Sequence, residues 1–378
     1  MMNRTSEGIE TKLIHAGEPE PKIAGAVAMP IFQSSTFEYE GESGYHNTRY
    51  IRMNNTPNHL ALHEKLAALE NSEAALVMAS GMAAVSTTLL SLLRSGDHLL
   101  AQECLYGGTL NLLTEDFPRW GIEVDFVDAD DAASWARKLR RKTRAIYIEP
   151  MTNPLLQVGD LKGAMEFARE YGLVSIIDNT FATPINFQPC ALGFDITLHS
   201  ATKYLGGHDD IVAGAVIGRR DLIAKVTHLL NHLGACLDPH ACFLLDRGLK
   251  TLAVRVRYQN ESALKIAQFL ERQDAVASVR YAGLQSHPRH HRAKELFSGF
   301  GGVLSFELNG GVETAEKFIR GLAFAQNAPS LGGVETLLMR PAVTSPCRHG
   351  CAGASAPRNY RRANSIFGWT GGDGRFDR

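Results

Sequence analysis

The sequence predicts an α/β protein, a mostly parallel sheet with helices on both faces, followed by a smaller α+β domain. Three observations carry this. Short apolar runs such as "LVSIID" lack polar alternation, the mark of strands buried on both faces. Amphipathic segments of helical spacing separate these runs, as parallel strand connections require. Beyond residue 240 the alternation gives way to a long helical stretch and then to strand-like segments.

Taken in order, residues 1–58 are polar and irregular, with scattered Pro and Gly, and form an N-terminal arm. "HLALHEKLAALE", from His59, repeats Leu and Ala at helical spacing. "EAALVMAS" is a buried strand, and Gly81 opens the helix "MAAVSTTLLSLLRSG". "DHLLAQE", "IEVDFVD" and "TRAIYIEP" are strands, and "LKGAMEFAREYG" is a helix. "LVSIIDN" and "DITLHSA" are the next strands, which makes residues 59–240 a large domain. A single helical stretch is expected from about His240 to Arg272, and "GGVLSFELNGG" reads as a strand of a smaller domain over 241–345. Residues 346–378 form a tail without apolar periodicity.

Bulk properties narrow the function. The formal net charge of -1 over 378 residues gives no electrostatic case for nucleic acid or an anionic membrane. No apolar run approaches the roughly 20 residues that span a bilayer. The N-terminal residues lack the apolar core of a signal peptide, so a cytoplasmic protein is expected. None of the six cysteines forms a CxxC pair. Cys347, His349 and Cys351 lie close in sequence without a second ligand pair at zinc spacing, so no metal is expected.

In sheets of this kind ligands bind at the carboxyl ends of the strands. Ser80-Gly81, Asn153, Asp178 and Lys203 all fall there. A partly buried lysine has a lowered pKa and is then a nucleophile able to form a Schiff base. Ser200 and Thr202 offer hydroxyls to a phosphate. Asp178 ends an apolar strand, where an unpaired carboxylate is costly and calls for a cation. Gly81 starts a helix, whose free N–H groups and dipole favour an anion. Singly each has a plainer account: a solvated lysine, or an Asp that caps the next turn. Together they fit a cofactor with an aldehyde, a phosphate and a protonatable ring nitrogen, which is pyridoxal phosphate (PLP). A nucleotide-binding protein fits poorly, because no GxGxxG or P-loop pattern is present.

The pieces "PIFQSSTF", "TRYIRMNNTP", "ASGMAA", "CLYGGT", "TNPLLQV", "DNTFATP", "HSATKYLGGH", "RGLKTL" and "SLGGVETL" stand in this order along the chain. Over residues 10 to about 345 the sequence resembles the Cys/Met-metabolism family of PLP-dependent enzymes. The resemblance implies the PLP-dependent transferase fold of type I, like aspartate aminotransferase. It implies that Lys203 carries the cofactor as a Schiff base and that Asp178 pairs with the pyridine nitrogen. Gly81 and Met82 would hold the phosphate through backbone N–H groups, aided by Ser200 and Thr202. Tyr106 would stack on the ring and help proton transfer. Asn153 would lie beside the ring hydroxyl and the substrate carboxylate, and Ser330 would orient Lys203 and the substrate. Tyr50 and Arg52 would reach the phosphate of a neighbouring subunit, which implies a homotetramer with shared active sites.

The implied activity is γ-elimination or γ-replacement on cystathionine or an O-acylhomoserine, in which freed Lys203 moves protons between neighbouring carbons. Methionine γ-lyase, cystathionine β-lyase and O-acylhomoserine sulfhydrylase are alternatives. Gly108 stands where methionine γ-lyases carry cysteine, and Leu331 where enterobacterial-type β-lyases carry tryptophan. Pro329 replaces the glutamate of eukaryotic-type γ-lyases, and Asp209 the usual serine after the lysine motif.

The tail departs from the family after "RPAVTS". The expected carboxylate-binding arginine and final helix are missing from "PCRHGCAGASAPRNYRRANSIFGWTGGDGRFDR". This leaves a catalytically impaired PLP-binding homologue as a second class of function. One account of the departure is a one-base shift of frame: Pro-Cys-Arg-His can be encoded CCA TGC AGG CAT G, which read one base later gives His-Ala-Gly-Met; the other account is a divergent, Gly/Arg-rich C-terminus. Resequencing the gene across the codons for Thr344 to Gly350 is expected to reveal that shift, and an unbroken frame there rules it out.

Overall fold

A computed structural model describes residues 7–39, 41 and 44–340. The predicted tail, with Cys347, His349 and Cys351, lies outside the described residues. The centre is a seven-stranded sheet. Its strands are β1 (Ala74–Met78), β2 (His98–Gln102), β3 (Glu123–Val127), β4 (Thr143–Ile148), β5 (Val174–Asp178), β6 (Ile196–Ser200) and β7 (Gly214–Gly218). They lie in the order β1-β7-β6-β5-β4-β2-β3. β3, β2, β4, β5 and β6 pair in parallel, while β7 runs antiparallel to both β6 and β1.

Alternate residues of each strand enter different cores, as the two-residue period requires. Val77, Leu100, Ile146, Ile177 and Ile217 pack on one face. Leu76, Leu99, Tyr147, Ile176 and Val216 pack on the other. Both faces are therefore apolar, and the strands read as continuous hydrophobic runs.

β7 was not anticipated. Its sequence GAVIG is short, and its end residues are glycines. Those glycines are what admit it between β1 and β6. A Cβ on Gly214 would stand 2.1 Å from the Ser80 carbonyl oxygen, and one on Gly218 would stand 2.3 Å from that of Asp195. The helix Arg220–Leu233 follows directly.

The expected single helix after His240 is two helices, Pro239–Leu249 and Leu252–Leu270. The chain turns because Gly248 packs on the backbone of Leu205 and Gly206, where a Cβ would meet the Gly206 oxygen at 2.2 Å. Buried Arg255 donates to the carbonyl oxygens of Gly248 (2.8 Å) and Tyr204 (2.9 Å), which lie at this junction. The second helix packs through Ala263, Ala267 and Leu270 on an antiparallel pair, Val276–Arg280 with Ser305–Leu308. The arm is tied down early. Lys65, on the helix Pro57–Leu69, meets Asp246 at 2.7 Å and donates to the carbonyls of Leu13 and Ile14. Among the described residues no helix is long and apolar enough to cross a membrane.

Gly214→Ala is expected to lower stability by about 1–3 kcal/mol or more, because the obstruction is backbone and cannot rotate away. The midpoint of urea unfolding measures this; an unchanged midpoint would show that the strand can shift.

Candidate active site

A cavity of about 370 Å³ opens at the carboxyl ends of the parallel strands. This is the position and size expected of a small-molecule site in an open α/β sheet. Ser80, Gly81, Met82, Tyr106, Asn153, Asp178, Ser200, Thr202, Lys203 and Ser330 all line it. Tyr50 and Arg52 do not. Arg52 instead donates to the Asn231 carbonyl oxygen (2.6 Å) and to the Tyr45 hydroxyl (2.7 Å), and its guanidinium stands 5.6 Å from the Tyr50 ring centroid.

The wall at the start of the helix Gly81–Leu92 is built first. Ser80 caps the helix Gly81–Leu92 by accepting from the Ala83 N–H at 3.0 Å. The N–H groups of Gly81 and Met82, at the first helical turn, are left to the cavity. Gly81 is obligatory here, since a Cβ would meet the Ser200 side chain at 2.8 Å. Ser200 thus stands directly beside the helix start. Thr202 is committed differently: its hydroxyl donates to the Ala213 oxygen (3.2 Å) and accepts from the Ala213 N–H (3.0 Å), tying the lysine loop to the start of β7.

Lys203 is half-buried, and burial lowers its pKa, while the Asp209 carboxylate works against this. Nζ donates to Ser330 Oγ at 3.0 Å, from a loop 127 residues later in the chain. Ser330 Oγ in turn lies 3.4 Å from Asp209 Oδ1. Gly332 lets that loop approach, with φ +80° and room for no Cβ against the Tyr204 backbone.

Asp178 has two roles at its two oxygens. Oδ1 caps the turn, accepting from the Thr180 N–H (3.1 Å) and hydroxyl (2.5 Å). Oδ2 accepts from the Tyr147 hydroxyl at 3.3 Å. Burial pushes the Asp178 carboxyl up, and the Thr180 donors pull it back. Glu149, absent from the sequence reading, shares the cavity. Burial and the Asp178 charge push it well above the usual carboxylate range. Its Oε1 accepts from the Tyr106 N–H at 2.8 Å. The signal for Glu149 was available, as a carboxylate closing the strand "AIYIEP".

The residues fit PLP on observations independent of resemblance. Tyr106 is 52% exposed at the cavity, a ring face with nothing stacked on it among the described residues. Its ring folds over Gly108, where a Cβ would stand 2.7 Å away. Asn153 Oδ1 is buried without a partner among the described residues, an acceptor that calls for a donor from a ligand. The cradle at Gly81 suits a phosphate, the lysine an aldehyde, and Asp178 a protonated ring nitrogen.

Asp209 gives this site a pH dependence. Burial and the Glu335 carboxyl bonded to it push it up to about 6. The folded protein thus binds this proton more tightly than the unfolded chain, whose aspartates titrate near about 4. Stability from this group is present below about 4 and is lost as pH rises to about 6. Asp209→Asn is expected to flatten that part of the stability–pH curve; chemical denaturation across the interval measures it, and equal slopes in both proteins would refute the assignment.

Comparison with known proteins agrees with this geometry. The family model for Cys/Met metabolism PLP-dependent enzymes matches residues 10–356. A cystathionine beta-lyase of Lactococcus lactis subsp. cremoris (strain MG1363) is 43% identical over 360 residues, covering 95% of this chain and 92% of that protein. A probable cystathionine gamma-synthase of Herpetosiphon aurantiacus is 43% identical over 313 residues, covering 82% of this chain and 98% of that one. The crystal structure of cystathionine gamma-lyase from Lactobacillus plantarum complexed with L-serine superposes with a TM-score of 0.87 at 35% identity, over 97% of this chain and 94% of that one. Matched over residues 10–356 by that family's model and 43% identical to relatives along most of its length, the chain belongs to the Cys/Met metabolism family of PLP-dependent enzymes.

Proposed function

We propose that this enzyme carries out γ-elimination or γ-replacement on cystathionine or an O-acylhomoserine, with Lys203 as its proton carrier. The observation that carries this is the placement of Lys203 Nζ, 3.0 Å from Ser330 Oγ, in one cavity with Asp178. PLP, when bound, supplies an aldehyde that condenses with an amine and a ring that accepts electrons while its nitrogen is protonated.

This chain's residues do the rest. Asp178 keeps a negative charge before the ring nitrogen, since Thr180 and Tyr147 donate to it. Burial and the Asp178 charge disfavour a second negative charge on Glu149. The N–H groups of Gly81 and Met82, with Ser200, hold the phosphate; Thr202 steadies the loop that carries Lys203. Asn153 Oδ1 orients a donor at the cavity floor, and Tyr106 covers the ring face. Burial lowers the Lys203 pKa towards working pH, where Nζ can take a proton from one carbon and return it to the next. Ser330 fixes the direction in which Nζ points.

Tyr50 and Arg52 lie outside this chain's cavity, which supports their serving a neighbouring subunit's cofactor in a homotetramer. A cytoplasmic location is part of the same proposal. A second reading, β-elimination of cystathionine, is favoured by the name of the Lactococcus relative.

Product analysis separates these. Cystathionine cut at its γ-carbon gives cysteine, ammonia and a four-carbon 2-oxo acid; cut at its β-carbon it gives homocysteine, ammonia and pyruvate. We expect the four-carbon acid, or cystathionine from an O-acylhomoserine and cysteine. Lys203→Ala is expected to lose about 10²–10⁴-fold in kcat or more, and its yellow colour should no longer be fixed covalently by borohydride. Pyruvate alone would establish the second reading, and a PLP-loaded protein that turns over no substrate would establish an impaired homologue.

A further inference from the structure

Away from the PLP cavity, three histidines converge. His228 and His232 stand four residues apart on the helix Arg220–Leu233, so both leave the same face. His46, from the turn Tyr45–Asn47, closes against them. The ring centroids are 4.6 Å apart for His46 and His228, 5.4 Å for His46 and His232, and 4.7 Å for His228 and His232. One ring nitrogen from each lies within 4.8 Å of the other two. A tetrahedral ion with nitrogen ligands at about 2.0–2.1 Å spaces them roughly 3.3 Å apart. His228 and His232 are exposed, so small rotations of their rings close that difference.

The third ligand is anchored. Asn231, fully buried on the same helix, meets His46 Nδ1 at 3.0 Å. Its carbonyl oxygen accepts from Arg52 at 2.6 Å, which holds the other end of the Tyr45–Arg52 segment. Asn231 Oδ1 is buried without a partner among the described residues; with the amide turned, Oδ1 accepts from His46 Nδ1–H and leaves Nε2 to a metal, the contact that orients ligating imidazoles in built sites. None of these residues lines the PLP cavity.

The ligand set selects the metal. Three imidazoles without a carboxylate do not suit Ca²⁺ or Mg²⁺, which require oxygen ligands. Imidazole suits Zn²⁺, Cu²⁺ and Ni²⁺, and three protein ligands leave a fourth position for water. We propose that His46, His228 and His232 bind one divalent transition-metal ion, with Zn²⁺ as the representative. The bound ion would clip the segment carrying Tyr50 and Arg52 to the helix Arg220–Leu233.

The test uses the full PLP-loaded chain after chelator treatment. Calorimetric titration with Zn²⁺ is expected to show binding at micromolar zinc, one ion per chain. His228→Gln and His232→Gln should each weaken it by at least about 10-fold, as loss of a direct ligand exceeds loss of a supporting group. Zn²⁺ should also raise the Tm of the parent protein and not of these variants. Both substitutions lie on an exposed face, and Tm without metal verifies folding. Co²⁺, titrated in parallel, should give tetrahedral visible bands that vanish in the same variants. Absence of binding to the parent protein overturns the proposal. So does equal binding by parent and variants with loss only in a Cys347→Ser/Cys351→Ser protein, which would place the ion in the tail.

Discussion

The approach of the Ser80-Gly81 turn to the ends of β6 and β7 is the constraint on which the site depends. Two missing side chains permit it. At Gly81 a Cβ would collide with Ser200, and at Gly214 with the Ser80 carbonyl. Because the turn sits so low, the first helical N–H groups and the residues after β6 face the same space. Lys203 and the helix start therefore line one cavity. The antiparallel β7 is part of the same arrangement: it spaces β1 from β6 and, through Ala213, holds Thr202 in place.

Electrostatics then divides the work among similar groups. Asp178 and Glu149 are both carboxyls in one cavity, and both are pushed up by burial. Their partners differ. Asp178 receives two donors from Thr180 and one from Tyr147, so it can carry the charge. Glu149 receives one backbone donor, and the Asp178 charge pushes it further up. Environments that push two titratable groups apart assign them different tasks. Here one gathers donors from Thr180 and Tyr147 and the other holds the Tyr106 backbone.

The sequence was most legible where chemistry and position coincide. Lys203, Asp178 and Gly81 each stand at the end of an apolar run, and strand ends are where ligands bind. The sheet's parallel part was visible for the same reason, since its strands are buried on both faces. β7 was hidden because its ends are glycine, chosen for clearance and not for apolar bulk. The break after Leu249 was hidden because Gly248 answers to the backbone of Gly206, a neighbour distant in sequence. Glu149 and Asp178 could be seen, but not which would be pushed further up, because that follows from Thr180 and Tyr147. The convergence of His46 with His228 and His232 was beyond reach. Only the tertiary fold brings the arm onto that helix.

Ser330 follows Lys203 by 127 residues. A ribosome therefore releases the lysine loop well before the group that aims it. Until the later segment docks, Nζ lacks the hydroxyl that receives its hydrogen bond. The geometry around this amine is completed late in synthesis, and a chain ending before residue 330 would carry the lysine without the group that orients it.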